Sequence, residues 1–264
     1  MFTKSLAVIC MIFAVGASAC GIAESDAPKE HEAHPTEPLR SSESNIIVGE
    51  LNWSSVTALA TGSPERTSSK AVGYLRYENA EGKTKRCTAW LVSKDVIITN
   101  NHCVGTRAVA ESARVSFNYE DGVSSSNRIW YSCPFLLKTS QDLDSTALRC
   151  APLNDKYPGE VYGFLSMAES DAPVNAPVYV IHQNCYPKPC TATKKYSPGV
   201  VRNANYGTYP QLLHDADTED GSSGAPVLLG ASHQVVGLNE GNNKSLNRAT
   251  KVSTLRAFLA DVSL

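Results

Sequence analysis

The stretch from Asp217 to Pro226 holds a serine, Ser223, in a turn flanked by glycines. A serine hydroxyl is a weak nucleophile near neutral pH, so it needs a neighbouring base and a site that stabilises developing negative charge. Flanking glycines allow a sharp turn and leave backbone N–H groups free to face a carbonyl oxygen. Taken alone, the stretch is equally typical of a Ser- and Gly-rich surface turn.

Histidine is the usual base for a serine nucleophile near neutral pH. His102 follows an apolar run of strand type and precedes Cys103, so a rigid element would present its imidazole. Three other histidines lie in or beside apolar runs, and we interpret them as structural: His182, His214 and His233.

A catalytic histidine needs a carboxylate that fixes its tautomer and stabilises its charged form. Two aspartates are available, and Asp144 directly precedes the apolar run Thr146–Leu148, whereas Asp142 lies further out in a polar loop. We therefore predict Asp144 as the partner of His102. Without the other motifs, both aspartates would be interpreted as solvated loop acids.

Residues 1–19 have the pattern of an export signal, with Lys4, the apolar run Leu6–Val15 and small residues before Cys20. The run is too short to span a bilayer. Because Gly-Ala-Ser-Ala precedes Cys20, the segment also resembles a bacterial lipobox, and we favour lipid attachment at Cys20 over plain secretion with a free thiol.

Residues 20–45 follow the signal, and they are rich in acids, Pro and Ser and contain no aromatic residue, which predicts a flexible tether or a propeptide. His31 and His34 lie here, but two histidines without further ligands do not predict a metal site. From residue 46 to residue 264 the pattern changes to short apolar runs separated by turn residues, which indicates a globular domain.

These runs are typical of an all-β barrel or sandwich. The predicted strands are Ala71–Tyr77, Cys87–Val92, Asp95–Thr99, Arg114–Tyr119, Arg128–Leu137, Thr146–Cys150, Pro177–Gln183, Gly199–Arg202, Ala225–Leu229 and Gln234–Leu238. Near the end of the chain, apolar residues recur at helical spacing, so we predict an amphipathic helix over 251–262.

Six cysteines lie in this domain, and an even number in an exported chain predicts disulfides. We expect sequential pairing, because each bond then closes a local loop: Cys87 with Cys103, Cys133 with Cys150, and Cys185 with Cys190. Metal binding is a weak alternative because no Cys-x-x-Cys occurs. The net charge of −2 argues against a nucleic-acid surface, and we expect no cofactor.

Taken together, three segments resemble the chymotrypsin-like (trypsin superfamily) serine endopeptidases. They are Cys87 to Cys103 with Thr-Asn-Asn-His102-Cys103 at its end, Asp144-Ser-Thr-Ala-Leu148, and Gly221-Ser-Ser223-Gly-Ala-Pro226. The segment from Leu213 to Pro226 is similar to that of the bacterial glutamyl endopeptidases.

The resemblance implies two antiparallel six-stranded β-barrels, at about 46–150 and about 151–250, with the active site between them. It also implies a Ser223 nucleophile, a His102 base, an orienting Asp144, and an oxyanion hole made by the N–H groups of Gly221 and Ser223. The expected partners are polypeptide substrates. We expect a monomer exported from a bacterial cell, either lipid-anchored through Cys20 or secreted.

Comparison with the same family at three positions bears on substrate preference. Asp217 stands where trypsins place the carboxylate that binds Arg or Lys, although it can turn away, leaving Thr218 and Asn239 to line a neutral pocket. Asn239 replaces a histidine with which glutamyl endopeptidases bind acidic side chains, so we expect no acidic preference and leave basic and neutral open.

Activation is expected to differ from that of the animal enzymes, which have an aspartate where this chain has Ser222. In those enzymes a newly freed α-amine pairs with the aspartate. An ammonium inserted beside Ser222 would be buried without a partner. We therefore interpret Asn45–Gly49 as the first strand of the domain, and predict an oxyanion hole that is formed with the preceding chain attached.

Two other functions are compatible with parts of the pattern. A surface-tethered binding or adhesion protein could use an inactive protease fold, although all three triad residue types are present. An esterase of the α/β-hydrolase type is disfavoured, because the turn lacks Gly-x-Ser-x-Gly and no alternation of strands and helices surrounds it.

Overall fold

The structure is a computed structural model that describes residues 46–184, 186, 193–207 and 210–264. Two seven-stranded antiparallel sheets make up most of it, as the all-β prediction expects. The strands are β1 (Ser54–Ser55), β2 (Val72–Glu78), β3 (Thr84–Leu91), β4 (Val96–Thr99), β5 (Arg114–Ser116), β6 (Tyr131–Ser132), β7 (Phe135–Ser140), β8 (Ser145–Arg149), β9 (Pro177–Asn184), β10 (Thr193–Tyr206), β11 (Gln211–His214), β12 (Pro226–Leu229), β13 (Val235–Asn242) and β14 (Asn247–Lys251).

The second sheet closes on itself. Its order is β1-β10-β11-β14-β13-β12-β9, and a further pairing of β9 with β10 makes a six-stranded barrel with β1 attached outside. The first sheet has the order β6-β5-β2-β3-β4-β8-β7, and within the described residues its two edge strands do not pair with each other. The predicted double-barrel fold is confirmed, with the first barrel less completely hydrogen-bonded than the second.

Within the described residues, four short α-helices accompany the sheets: α1 (Pro64–Ser69), α2 (Arg107–Ala110), α3 (Pro158–Tyr162) and α4 (Val252–Leu259). The predicted terminal helix is present as α4, and its apolar stripe is buried as the spacing requires. Leu255, Phe258 and Leu259 belong to the larger hydrophobic cluster, which holds the core of the first sheet together with residues of β9, β12 and β13, whereas Val252 belongs to the smaller cluster inside the second sheet. The helix therefore joins the two cores.

Several predicted elements differ from the structure. The strand predicted over Arg128–Leu137 is two short strands, because Cys133 and Pro134 interrupt the ladder and a proline cannot donate to it. β10 is longer than the predicted Gly199–Arg202, since its first half pairs with β9 and its second half with β11.

The first strand predicted over Asn45–Gly49 is wrong, because residues 46–49 are not in a strand and the first described strand is β1. This beginning of the described chain lies with the second barrel rather than the first, in contrast to the predicted division at residue 150. β1 pairs with β10, and the Asn247 side chain bonds both the N–H and the C=O of Ile46. The predicted signal, the tether with Cys20, His31 and His34, and the Cys185–Cys190 bond lie outside the described residues. No helix in the described ranges has the length and apolar character needed to cross a membrane.

One buried lysine connects the barrels. Lys194 on β10 is fully buried, and its Nζ donates to the carbonyls of Ser69 and Phe117, both at 2.7 Å, and to Glu120 Oε1 at 3.0 Å. Arg66 bonds both oxygens of the same Glu120 carboxylate. Burial would raise the pKa of Glu120, but Lys194 and Arg66 outweigh it and hold that pKa below its ordinary value.

We expect Lys194→Met to lower the free energy of unfolding in urea by about 3–5 kcal/mol, because it leaves a buried carboxylate with one partner fewer. Burial lowers the pKa of Lys194 to about 8, although Glu120 opposes the shift. The unfolded chain therefore binds more protons between pH 8 and about 10.4, and the wild type gains stability over the variant as the pH rises through that window. Lys195→Met, on the next residue of β10, is the control. Equal losses of stability in Lys194→Met and Lys195→Met would contradict this role. So would a difference in stability between the wild type and Lys194→Met that does not change with pH.

Candidate active site

His102 and Asp144 form an ion-pair-type contact at one end of the first sheet. His102 Nδ1 lies 2.7 Å from Asp144 Oδ2, and the backbone N–H of His102 donates to Asp144 Oδ1 at 2.9 Å. The imidazole is 28% exposed and the carboxylate 13% exposed. Two-point contact with one carboxylate fixes both the ring and its backbone, which leaves Nε2 as the nitrogen available for proton transfer.

The Asp144 backbone adopts a left-handed conformation with φ 44°, which aspartate tolerates better than most residues. Two hydrogen bonds hold it: Asn100 Nδ2 donates to the Asp144 carbonyl at 2.8 Å, and the Asp144 N–H donates to Gln141 O at 3.1 Å. Asp142 is exposed. The structure thus brings Asp144, and not Asp142, to His102.

Ser223 follows a tight turn that the first barrel holds at both ends. Thr88 on β3 donates its N–H to Ser223 O at 2.8 Å and its Oγ1 to Gly221 O at 2.9 Å. Gly224 has φ 82°, and a Cβ there would collide with the Thr88 carbonyl and Thr99 Oγ1. Only glycine allows the two barrels to approach this closely beside the serine.

The turn before Ser223 has the geometry of type II. The N–H of Ser222 donates to Glu219 O at 2.8 Å, Gly221 has φ 102°, and Asp220 has no positive φ. A positive φ at the third turn residue requires a residue such as glycine. Gly221 and Ser223 line a cleft of about 600 Å³ that His102 also lines.

A second histidine lies behind the nucleophile. His182 on β9 is fully buried, and its Nδ1 lies 2.6 Å from Ser222 Oγ. Ser222 Oγ accepts from the N–H of Glu219 at 3.0 Å, and it can donate its own proton to His182 Nδ1 when the imidazole carries its proton on Nε2. Burial lowers the pKa of His182 to about 3, with smaller contributions from Lys195 and His214, so the imidazole is neutral near pH 7.

The predicted substrate-binding residues are all fully buried. Asp217 Oδ1 and Oδ2 accept from the backbone N–H groups of Val48 and Asn52, at 2.7 and 2.8 Å. Asn239 Oδ1 lies 3.2 Å from His214 Nε2, and its Nδ2 donates to Ser222 O at 3.3 Å.

Thr218 Oγ1 is buried without a hydrogen-bond partner in the described chain. Neither Asp217, Thr218 nor Asn239 is among the described residues that line the cleft. The reason is that Asp217 holds the N-terminal segment and Asn239 holds the nucleophile turn.

The disulfides follow the predicted sequential pairing where the structure describes them. Cys87 is joined to Cys103 and Cys133 to Cys150. The first bond ties the strand that carries Thr88 to the residue after His102. A ring nitrogen of His102 and both sulfur atoms of this bond lie within 4.8 Å of one another, but sulfur atoms joined in a disulfide are not thiolate ligands.

The profile described as "Trypsin-like peptidase domain" matches residues 87–238, more than half of the chain. The chain belongs to this family. The match covers the disulfide strand, the His102–Asp144 pair and the Ser223 turn, in the order that the sequence resemblance predicts.

One curated relative of this trypsin-like peptidase is Secreted RxLR effector protein 73 of Plasmopara viticola, 31% identical over 166 residues. The match covers 58% of this chain but only 40% of the relative. The chain therefore spans less than half the length of that protein.

Solved protease structures share the fold. A Glu endopeptidase in complex with MPD superposes with a TM-score of 0.63 and 17% identity, over 81% of this chain and 98% of that chain. The active form of a protease from M. tuberculosis gives a TM-score of 0.55 and 18% identity, over 82% and 90% of the two chains. At these identities the likeness concerns the fold alone.

Sequence reasoning missed the residues that hold the site together. Thr88 carries no motif of its own, although its position beside Cys87 places it in the first resembling segment. Asn100 lies in the same segment, Cys87 to Cys103, two residues before His102, but its bond to the Asp144 carbonyl was not predicted. His182 was assigned a structural role from its apolar surroundings, and its contact with Ser222 joins residues 40 positions apart.

We expect Asp144→Asn to lower kcat against a peptide substrate by several orders of magnitude, because the amide favours the wrong His102 tautomer. Asp142→Asn is the matched control, since it makes the same chemical change in an exposed residue of the same loop. Its kcat should stay within about threefold of the wild type. A larger loss for Asp142→Asn than for Asp144→Asn would reverse the assignment.

Proposed function

We propose that this protein is an exported serine endopeptidase that hydrolyses peptide bonds through an acyl-enzyme formed on Ser223. The observation that carries the proposal is the 2.7 Å contact of His102 with Asp144 at the cleft that Ser223 also lines. Nucleophile, base and orienting carboxylate are the three groups that acyl transfer by a serine requires.

In this mechanism Ser223 Oγ attacks the carbonyl carbon of the scissile bond while His102 Nε2 takes the hydroxyl proton. Asp144 holds Nδ1–H and stabilises the imidazolium. His102 then gives its proton to the leaving amine, which departs as the acyl-enzyme forms. Water, deprotonated by His102, attacks the ester carbonyl, and the acid product leaves with Ser223 restored.

Negative charge on the carbonyl oxygen would be stabilised by the N–H groups of Gly221 and Ser223. The type II turn supports this role. A type I turn at the same residues would rotate the peptide between Asp220 and Gly221 and direct its carbonyl where the N–H now points. Gly221 at φ 102° therefore favours a formed oxyanion hole.

We further propose that the hole forms while the preceding chain is attached. His182 supplies a neutral hydrogen bond to Ser222, so the turn needs no inserted ammonium. Asp217 is fully buried and both of its oxygens accept from the N-terminal segment, which argues against a contact with a basic substrate side chain. Cleavage near residue 46 would then release the domain or unblock the cleft.

Export is supported by the two disulfides in the described part of the chain, since such bonds are typical of oxidising compartments. A curated relative is itself a secreted protein. The signal-like residues 1–19 agree with these findings. Lipid attachment at Cys20 and a bacterial cell envelope as the destination belong to the same proposal.

The deciding experiment is labelling of the purified protein by a fluorophosphonate probe, with parallel measurement of peptide hydrolysis. We expect labelling in the wild type and none in Ser223→Ala. Ser223→Ala and His102→Ala should each lower kcat by several orders of magnitude, and the double variant little further, because the two groups act as a unit. A folded wild type that neither labels nor hydrolyses any member of a peptide library would favour the binding-protein alternative.

We expect His182→Phe to lower kcat by about tenfold to a hundredfold with little change in KM, because it loosens the turn that carries the oxyanion donors. His182→Asn should restore most of the rate, since an amide oxygen can accept from Ser222. Ser222→Ala combined with His182→Phe should add little to either change.

The pH dependence of stability tests whether His182 positions the nucleophile turn or only stabilises the fold. His182 has a pKa of about 3 when folded and about 6.5 when unfolded, so the unfolded chain binds the extra proton in that window. The wild type should lose stability between pH 6.5 and pH 3 more steeply than His182→Asn. If kcat in these variants falls only in proportion to their loss of folding stability, His182 does not position the turn.

A further inference from the structure

Three arginines lie side by side on the outer face of the first barrel. The strand register places Arg76 on β2 opposite Arg86 on β3 and opposite Arg114 on β5. Directly opposed side chains on neighbouring strands are in contact range, and like charges in such pairs are destabilising. This arginine row (Arg86, Arg76 and Arg114) therefore costs the fold stability.

The positive charge of the row is only partly neutralised within the described chain. Arg86 pairs with Asp220 at 3.2 Å, whereas neither Arg76 nor Arg114 forms an ion pair with any described carboxylate. Arg76 and Arg114 are exposed. Arg86 Nε is buried with no acceptor in the described residues, so this donor is unused.

Aromatic side chains surround the row. Tyr74 stacks on Tyr119 with ring centres 4.4 Å apart, Trp130 contacts both at their edges, and Arg128 lies 3.7 Å from the centre of the Tyr119 ring. Trp130 lines, together with Arg76 and Arg114, a cavity of about 390 Å³.

The row is continuous with the catalytic cleft. Arg86 and its neighbour Lys85 line the cleft that contains His102 and Ser223, and the next two arginines line the second cavity. The described lining of the cleft also includes the Cys87–Cys103 bond, beside His102. His102 protonates the leaving amine, which belongs to the part of the substrate that follows the scissile bond. This part of a bound substrate would therefore extend along the side of the cleft that leads to the row.

We propose that the arginine row binds acidic side chains of the polypeptide substrate on the C-terminal side of the scissile bond. The proposal rests on the endopeptidase function above. Guanidinium groups bind carboxylates in a bidentate manner, which suits Arg76 and Arg114, the two arginines of the row for which the described chain shows no ion pair. Three carboxylates in the two linings, Glu78, Glu81 and Asp220, limit the net charge, so binding depends on direct contact with Arg76 and Arg114 rather than on a broad positive field.

The test compares two peptides that differ only in having Glu or Gln at several positions after the cleaved bond. We expect the wild type to favour the Glu peptide by about fivefold in kcat/KM, mainly through KM, and the preference to fall with added salt. Arg76→Gln combined with Arg114→Gln should abolish the preference and leave the Gln peptide unaffected. Lys156→Gln combined with Lys244→Gln removes the same two positive charges from exposed positions outside both linings; it is the control for net charge and should keep the preference.

Binding to Ser223→Ala separates this proposal from the catalytic one. Fluorescence anisotropy should show tighter binding of the Glu peptide, lost when Arg76 and Arg114 are also changed, even if the wild type hydrolyses nothing. Equal binding of both peptides, or a preference that survives the arginine changes, would overturn the proposal. So would a Glu preference that appears only after the acids of residues 21–45 are changed to amides, because the row would then be occupied by this chain's own segment.

Discussion

Thr88 makes the contacts on which the geometry of the site depends. Its N–H and hydroxyl bind the carbonyls of Ser223 and Gly221, its carbonyl accepts from Thr99 Oγ1, and its hydroxyl also accepts from the N–H of Gln183 on β9. One buried residue of the first barrel thus fixes the nucleophile turn and a strand of the second. Buried polar groups must be paired, so displacing either barrel would leave several of them without partners.

The second constraint on the site is a hydrogen bond between two uncharged side chains. Where the animal enzymes use a buried ion pair behind the nucleophile, this protein places the hydroxyl of Ser222 against the imidazole of His182. Burying a neutral hydrogen-bonded pair avoids most of the desolvation cost of two charges. Trp53 packs edge-on against the same imidazole, and Asp217 binds the chain just before it. The N-terminal segment thereby covers the pair without supplying a charge.

The sequence predicted the parts of the site that carry local patterns. His102, Asp144 and Ser223 each lie in a short segment with recognisable neighbours, and the order of the three segments indicated the family. Thr88, His182 and Lys194 act through contacts with residues far away in the chain, so no local pattern marks them. Asp217 shows the same limit, because an aspartate at a given offset can face a substrate or bind a backbone segment, and only the fold decides between them.

Turn spacing and apolar runs predicted the all-β class and the family resemblance implied the two barrels, whereas strand lengths depended on tertiary contacts. β10 extends over fourteen residues because two different strands pair with it. Gly199, near its middle, lies so close to Ala216 that a side chain would not fit. Such a close approach cannot be inferred from the composition of the strand itself.

Helix α4 contributes side chains to both hydrophobic clusters, and it follows all fourteen described strands in sequence. Domains generally fold as units, so strands made without this helix would leave both clusters incomplete. The order of the elements along the chain thus differs from the order in which the interior can be finished: the strands that carry the site come first, and the helix that fills the space beneath them comes after.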